Sequence, residues 1–275
     1  MIGIFDSGSG GLTVLKEIKK LIPKADIVYF GDLKNAPYGN RTPEEIGALT
    51  VLGFQKLINH GATQIVSACN SASANIVLPL LDSFKIKPNN IIEMVGPTVK
   101  AFKSSFDRFD KLTTNMLRAT NKVQRILLVA TEATIRSGIY QNGFQSLHMD
   151  IQTLALPHLA GAIENKTSHP ALLAMIGDAL EKYNGTYDTL ILGCTHFPLV
   201  IDLFARNIPK GVTIFDPAEV VAREAQNLFL LPNSREWANK EKGSIRFLIS
   251  KDSDFFREKV AEFFGDGNYK IEVIK

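Results

Sequence analysis

The chain holds two cysteines, and each follows an apolar run: Cys69 in IVSACNSAS, residues 65–73, and Cys194 in LILGCTHFP, residues 190–198. A free thiol has a pKa of about 8.5, so both the acid and the thiolate are within reach near neutrality. Residues at the carboxyl ends of strands in open α/β sheets face the ligand crevice, and a helix start just beyond offers backbone N–H groups to anions. One free cysteine in such a place is as often a small buried hydrophobe. Two in matched surroundings point to a pair of proton-transfer groups. His196 lies two residues past Cys194 and could orient or protonate that thiol, or simply satisfy a backbone carbonyl. Neither cysteine has a CxxC partner or a third local ligand, so no metal is expected.

The cluster DSGSGG, residues 6–11, has neither the GxGxxG spacing of a dinucleotide fingerprint nor the GK[ST] of a P-loop, so no nucleotide cofactor is expected. What it supplies is backbone that tolerates close approach and a helix start suited to a small carboxylate, with Asp6 and Ser7 turned to the same crevice. The alternative is that these two side chains only cap the helix.

Positioning these groups requires a scaffold. Strand-like runs at 2–5, 26–30, 64–68, 91–95, 125–130, 151–155, 189–192, 212–215, 245–249 and 271–274 alternate with helical patterns, which predicts parallel sheets flanked by helices. Thr42-Pro43-Glu44-Glu45 reads as a capping box with proline in the first turn, opening a helix that stops near His60-Gly61. The opening IGIFDSGSGG is echoed by RILLVATEAT at 125–134, and each is followed by its own cysteine-tipped strand. The expected fold is α/β, with two similar flavodoxin-like parallel-sheet domains facing across a cleft. Residues 1–96 plus 211–275 form the first, with Cys69, and 97–210 the second, with Cys194. The polar stretch 103–122 and Pro209-Lys210-Gly211 read as connections.

With 275 residues and 45% hydrophobic content the chain can bury ordinary cores. Its net charge of +3 is spread among interspersed signs, which argues against a nucleic-acid stripe, and the lysines of 16–24 fit a solvated helix face. No apolar run approaches the roughly 18 residues of a membrane span, and the first residues read as a strand rather than a leader. A cytoplasmic protein is expected, with its thiols reduced.

Four ordered motifs, DSGSGGLTV at 6–14, Pro37-Tyr38-Gly39 after Gly31-Asp32, ACNSAS at 68–73 and GCTHFPL at 193–199, together resemble the glutamate branch of the cofactor-independent aspartate/glutamate racemase superfamily. The resemblance implies that Cys69 and Cys194 flank the α-carbon of the amino acid as the two acid/base groups, with no pyridoxal phosphate. It implies that Asp6 assists Cys69, that His196 assists Cys194, and that Glu164, closing PHLAGAIE, is the auxiliary glutamate. By the same likeness Asp6, Ser7, Tyr38, Gly39, Asn70, Ser71, Thr131, Thr195 and His196 bind the substrate. The family usually has Thr at Ser71 and Gly at Ala130; Ser71 keeps the hydroxyl. The implied activity is racemisation of glutamate, supplying D-glutamate for peptidoglycan. No cofactor, nucleic acid or membrane partner is implied, and a homodimer is one assembly open to the chain. Competing readings are an aspartate racemase on the same scaffold, since one methylene is set by pocket shape, a one-thiol decarboxylase, and a two-domain amino-acid binder without catalysis.

Overall fold

The computed structural model describes residues 1–75, 90–106, 125–238, 241–265, 267 and 269–274; of the connection expected at 103–122, residues 107–122 lie outside these. The strands among the described residues are β1 (Ile2–Asp6), β2 (Ile27–Gly31), β3 (Gln64–Ser67), β4 (Ile91–Ile92), β5 (Ile126–Ala130), β6 (Ile151–Ala155), β7 (Thr189–Gly193), β8 (Thr213–Phe215), β9 (Ile245–Ile249) and β10 (Tyr269–Val273). They form a six-stranded sheet in the order β10-β9-β2-β1-β3-β4 and a four-stranded sheet in the order β6-β5-β7-β8. Every pairing is parallel. The central strands β1, β3, β5 and β7 are buried at every residue, as strands covered by helices on both faces must be.

The same order, second-first-third-fourth, recurs in both sheets. Each sheet therefore reverses its winding direction beside its first strand, at β1/β3 and at β5/β7. A crevice opens beyond the carboxyl ends at such a switch point, because the flanking connections leave in opposite directions. The two motif pairs of the sequence sit at these two crevices.

Apolar clusters cover both faces of each sheet. Around the first, Leu12, Leu15 and Ile18 of the helix Leu12–Leu21 meet Val221 and Phe229 on one side, and Phe5, Phe54 and Leu57 pack on the other. Around the second, Leu127, Leu190 and Ile176 fill one face, and Phe102, Phe144 and Phe215 the other. The helix Pro43–Asn59 begins at Thr42 with the reciprocal bonds of a capping box to Glu45, which satisfies two otherwise unpaired N–H groups.

One strand departs from the expected division at 211. Residues Thr213–Phe215 pair with β7 as the edge of the second sheet, and Phe215 packs on Phe102 in a tilted arrangement with ring centroids 5.0 Å apart. The return to the first sheet follows Asp216, where Ala218 and Val221 join the first core. The reason is burial: Phe215 packs into the apolar cluster of Phe102, Phe144 and Ile191 around the second sheet.

Candidate active site

Asp6, Cys69, Thr131 and Cys194 lie at strand tips, while Tyr38 and Gly39 lie in the turn Tyr38–Asn40 and Glu164 ends the helix Leu159–Glu164. Asp6 ends β1, and Ser7 begins the turn after it. Cys69 is the residue before the short helix Asn70–Ser73, just past β3. Thr131 follows β5 and caps the helix Glu132–Arg136, accepting from Thr134 N. Cys194 directly follows β7. The switch points of the two sheets face one another, and one small cavity lies between them. It is lined by Ser7, Tyr38, Gly39, Cys69, Asn70, Ser71, Thr131, Cys194, Thr195 and His196, together with Pro37 and Ala160. At about 20 Å³ it has room for about one water molecule. An amino acid can reach the thiols only if the two lobes part.

Two expected residues stand behind this wall rather than in it. Asp6, assigned to the substrate by resemblance, is fully buried; its carboxylate accepts from Gly8 N at 2.8 Å and from the Thr195 hydroxyl at 3.0 Å. Both oxygens are thus occupied within the protein. Glu164 lies behind His196, its Oε2 2.7 Å from Nε2, and accepts from Ser9 N at 3.1 Å and Ser9 Oγ at 2.6 Å. Neither carboxyl group lines the inner cavity.

The two thiols have different electrostatic surroundings. Burial, and then the neighbouring Asp6 charge, push the Cys69 thiol up to about 12, against the opposing pull of the Ser7 hydroxyl and the Ala72 N–H. Ser7 Oγ is 3.4 Å from the sulfur. Cys69 therefore rests protonated, as an acid. Burial also raises Asp6, with His196 and the Gly8 and Gly11 amides working the other way. For His196, burial works against the cation, but hydrogen bonds and charges of Cys194 and Glu164 outweigh it and hold the imidazole well above its ordinary value. Glu164 is lowered despite its burial, because His196 and Ser9 stabilise the anion. Beside Cys194 lies an imidazole whose cation is favoured, and beside Cys69 a buried carboxyl group.

The glycine cluster makes this approach possible. A Cβ at Gly10 would lie 2.5 Å from Thr195 Oγ1 and 2.7 Å from the His196 backbone nitrogen, and one at Gly11 2.5 Å from Asp6 Cβ. Real Cβ contacts do not come that close, so position 10 must lack a side chain for the CTH segment to dock on it, and position 11 must lack one for the turn to pack on Asp6. At Gly39 a Cβ would fall 2.7 Å from Thr131 Cβ, the same requirement on the other flank.

Tyr140 and Thr134 support the site without a sequence signal of their own. Tyr140 donates to Asn70 Oδ1 at 2.6 Å, leaving the buried Asn70 Nδ2 without a partner and available to an acceptor in the cavity. Ser71, Thr131 and Thr134 form a chain of hydroxyls, with Ser71 Oγ 2.8 Å from Thr131 Oγ1. Asp32, just past β2, accepts from Tyr38 OH at 2.7 Å.

Comparison with known proteins agrees with this arrangement. The profile of the family described as Asp/Glu/Hydantoin racemase matches residues 2–225. The glutamate racemase of Desulforudis audaxviator is 32% identical over 96% of this chain and 93% of its own length. Among solved structures, a glutamate racemase isoform of Bacillus anthracis superposes with a TM-score of 0.83 at 28% identity, covering 100% of this chain and 97% of its own. The Thermus thermophilus glutamate racemase, solved with beta-chloro-D-alanine, gives 0.77 at 27% identity, covering 100% and 96%. With its motifs at the switch points of two matched sheets, the chain belongs to the Asp/Glu/Hydantoin racemase family.

Proposed function

We propose that this protein interconverts L- and D-glutamate, with Cys69 and Cys194 as the two proton-transfer groups and no cofactor. The observation that carries the reading is the pair of thiols on facing strand tips of two sheets, lining one closed cavity. Racemisation removes a weakly acidic α-proton from one face and delivers another to the opposite face. A thiolate takes the first proton while the thiol across the cavity gives the second, so the two exchange protonation states with each turnover and no net proton is consumed. The Asn70 amide and the hydroxyls of Ser71 and Thr131 are suited to a substrate carboxylate. Donors of this kind, fixed in a water-poor cavity, stabilise the charge that develops as the α-proton leaves. Asp6 and His196, each beside one thiol, set the protonation of that side. Glutamate is preferred to aspartate because the relatives at about 30% identity over nearly the whole chain are glutamate racemases. The D-glutamate made would serve peptidoglycan synthesis in the cytoplasm.

The test is single replacement. Cys69→Ser and Cys194→Ser should each lower racemisation by a factor on the order of a thousand or more, an alcohol being a far weaker acid than a thiol. With an amino acid bearing a leaving group at the β-carbon, each variant should retain elimination for only the enantiomer whose α-proton faces its remaining thiol. Wild-type protein dialysed against chelator should keep full activity. Near wild-type racemisation by both variants would make the cysteines structural, and comparable kcat/KM for aspartate would move the substrate assignment.

A further inference from the structure

Beyond the inner cavity lies a second recess, of about 240 Å³, which shares Pro37, Ala160 and His196 with it. The shared residues make the recess an outer chamber of the same site. The lobes meet at its floor, where a Cβ on Gly161 would sit 3.8 Å from Pro37 Cγ. Lys34 and Lys251 line it, and both are exposed.

The charges here are not balanced. Of the acids on the wall, Glu164 is committed to His196 at 2.7 Å, and Asp252 is paired with Arg257 at 2.8 Å. Neither lysine ammonium has an ion-pair or hydrogen-bond partner among the described residues. Two unspent cations therefore stand over a passage whose inner end is the thiol cavity. The helix Asp254–Phe264 also starts at this rim, with Ser253 as its cap, and its positive end adds to the same field.

We propose that this recess is an antechamber that draws in a dicarboxylic amino acid, through Lys34 and Lys251, before the lobes admit it to the thiols. The proposal rests on the racemase reading. A dicarboxylic amino acid carries a net negative charge at neutral pH, and cations left unpaired beside a cleft whose acids are already paired raise the local concentration and capture rate of an anion. The lysines act on capture and not on proton transfer, since neither lines the inner cavity.

The experiment compares wild type, the Lys34→Gln/Lys251→Gln double variant, and a control pair, Lys182→Gln/Lys210→Gln, that removes the same net charge elsewhere. Steady-state racemisation of L-glutamate is measured from low to high ionic strength. At low salt the double variant should lose about three- to tenfold in kcat/KM, with kcat within about twofold of wild type. Its dependence on salt should flatten, because the interaction that salt screens is gone. The control pair should follow wild type. Equal kcat/KM and salt dependence in all three proteins overturns the antechamber, as does an equal loss in the control pair, or a fall in kcat as large as the fall in kcat/KM. Wild-type protein inert toward both enantiomers overturns the racemase reading itself, and the antechamber with it.

Discussion

Gly10→Ala is the sharpest test of how the two lobes meet. Gly10 has no positive φ, so alanine is conformationally allowed within its own lobe. The obstruction lies entirely across the cleft: the new methyl would stand 2.5 Å from Thr195 Oγ1, 2.6 Å from His196 Nδ1 and 2.7 Å from His196 N. The last is backbone and cannot rotate away. Inserting a methyl where none fits costs about 1–3 kcal/mol. Here the strain is relieved by parting the lobes rather than by unfolding, so closure carries the cost. At about 2 kcal/mol the loss in kcat/KM is about 30-fold, taking 1.4 kcal/mol per factor of ten. Racemisation followed by chiral chromatography, beside thermal unfolding on the same preparations, separates the cases. If the whole cost fell on folding, Tm would drop by about 4–8 °C. Such a drop with wild-type activity per folded molecule, or no change in either measurement, refutes the reasoning. Gly47→Ala is the control: inside the helix Pro43–Asn59, with nothing within 4 Å of the new methyl, it should leave activity alone and add about 0.5–1 kcal/mol.

Three further outcomes are expected. Asp216 accepts from Ala218 N at 2.9 Å, and burial, with Glu17 and Glu219 nearby, raises its carboxyl to about 6. The folded state thus holds this proton more tightly than the unfolded chain, and stability falls as pH rises from 3.8 to about 6. Asp216→Asn should therefore gain roughly 2 kcal/mol over wild type in urea unfolding at pH 8, after allowance for partial exposure to water. The gain should shrink toward pH 4, and a pH-independent gain counts against the assignment. Ser7→Ala, made in a Cys194→Ser background where Cys69 is the sole thiol, should move alkylation of Cys69 by iodoacetamide to higher pH, because the hydroxyl at 3.4 Å favours the thiolate; an unmoved profile removes that role. Thr42→Ala breaks the capping box and should cost about 1 kcal/mol of stability with kcat/KM unchanged, an equal loss of activity being the contrary result.

Much of this architecture is legible in the sequence, for a physical reason. Strands buried on both faces are continuous apolar runs, so β1, β3, β5 and β7 announce themselves, and the polar residues that end them are the ones left facing a crevice. That is why Asp6, Cys69 and Cys194 can be located without a structure, whereas Thr131 comes from the resemblance to the family. Contacts across the cleft are another matter. Nothing local distinguishes Tyr140, an aromatic on a helix, from a core residue, yet its hydroxyl fixes Asn70. The glycines of 6–11 signal close approach, but not that the approaching group is Thr195-His196. Residues 212–215 read correctly as a strand. Their sheet is decided by the meeting of Phe215 with Phe102, which periodicity does not encode.

The supports of the two thiols are exchanged between lobes. Asp6, from the first sheet, is held by Thr195 of the second, while Glu164, from the second, is held by Ser9 of the first. Neither half is therefore a self-sufficient module, although each has its own sheet and cores. A chimera that grafts one lobe from a relative would inherit well-formed strands and mismatched anchors unless 6–11, Glu164 and 194–196 travel together. The likeness of the halves lies in their strand order, while the crossed anchors make each half depend on the other.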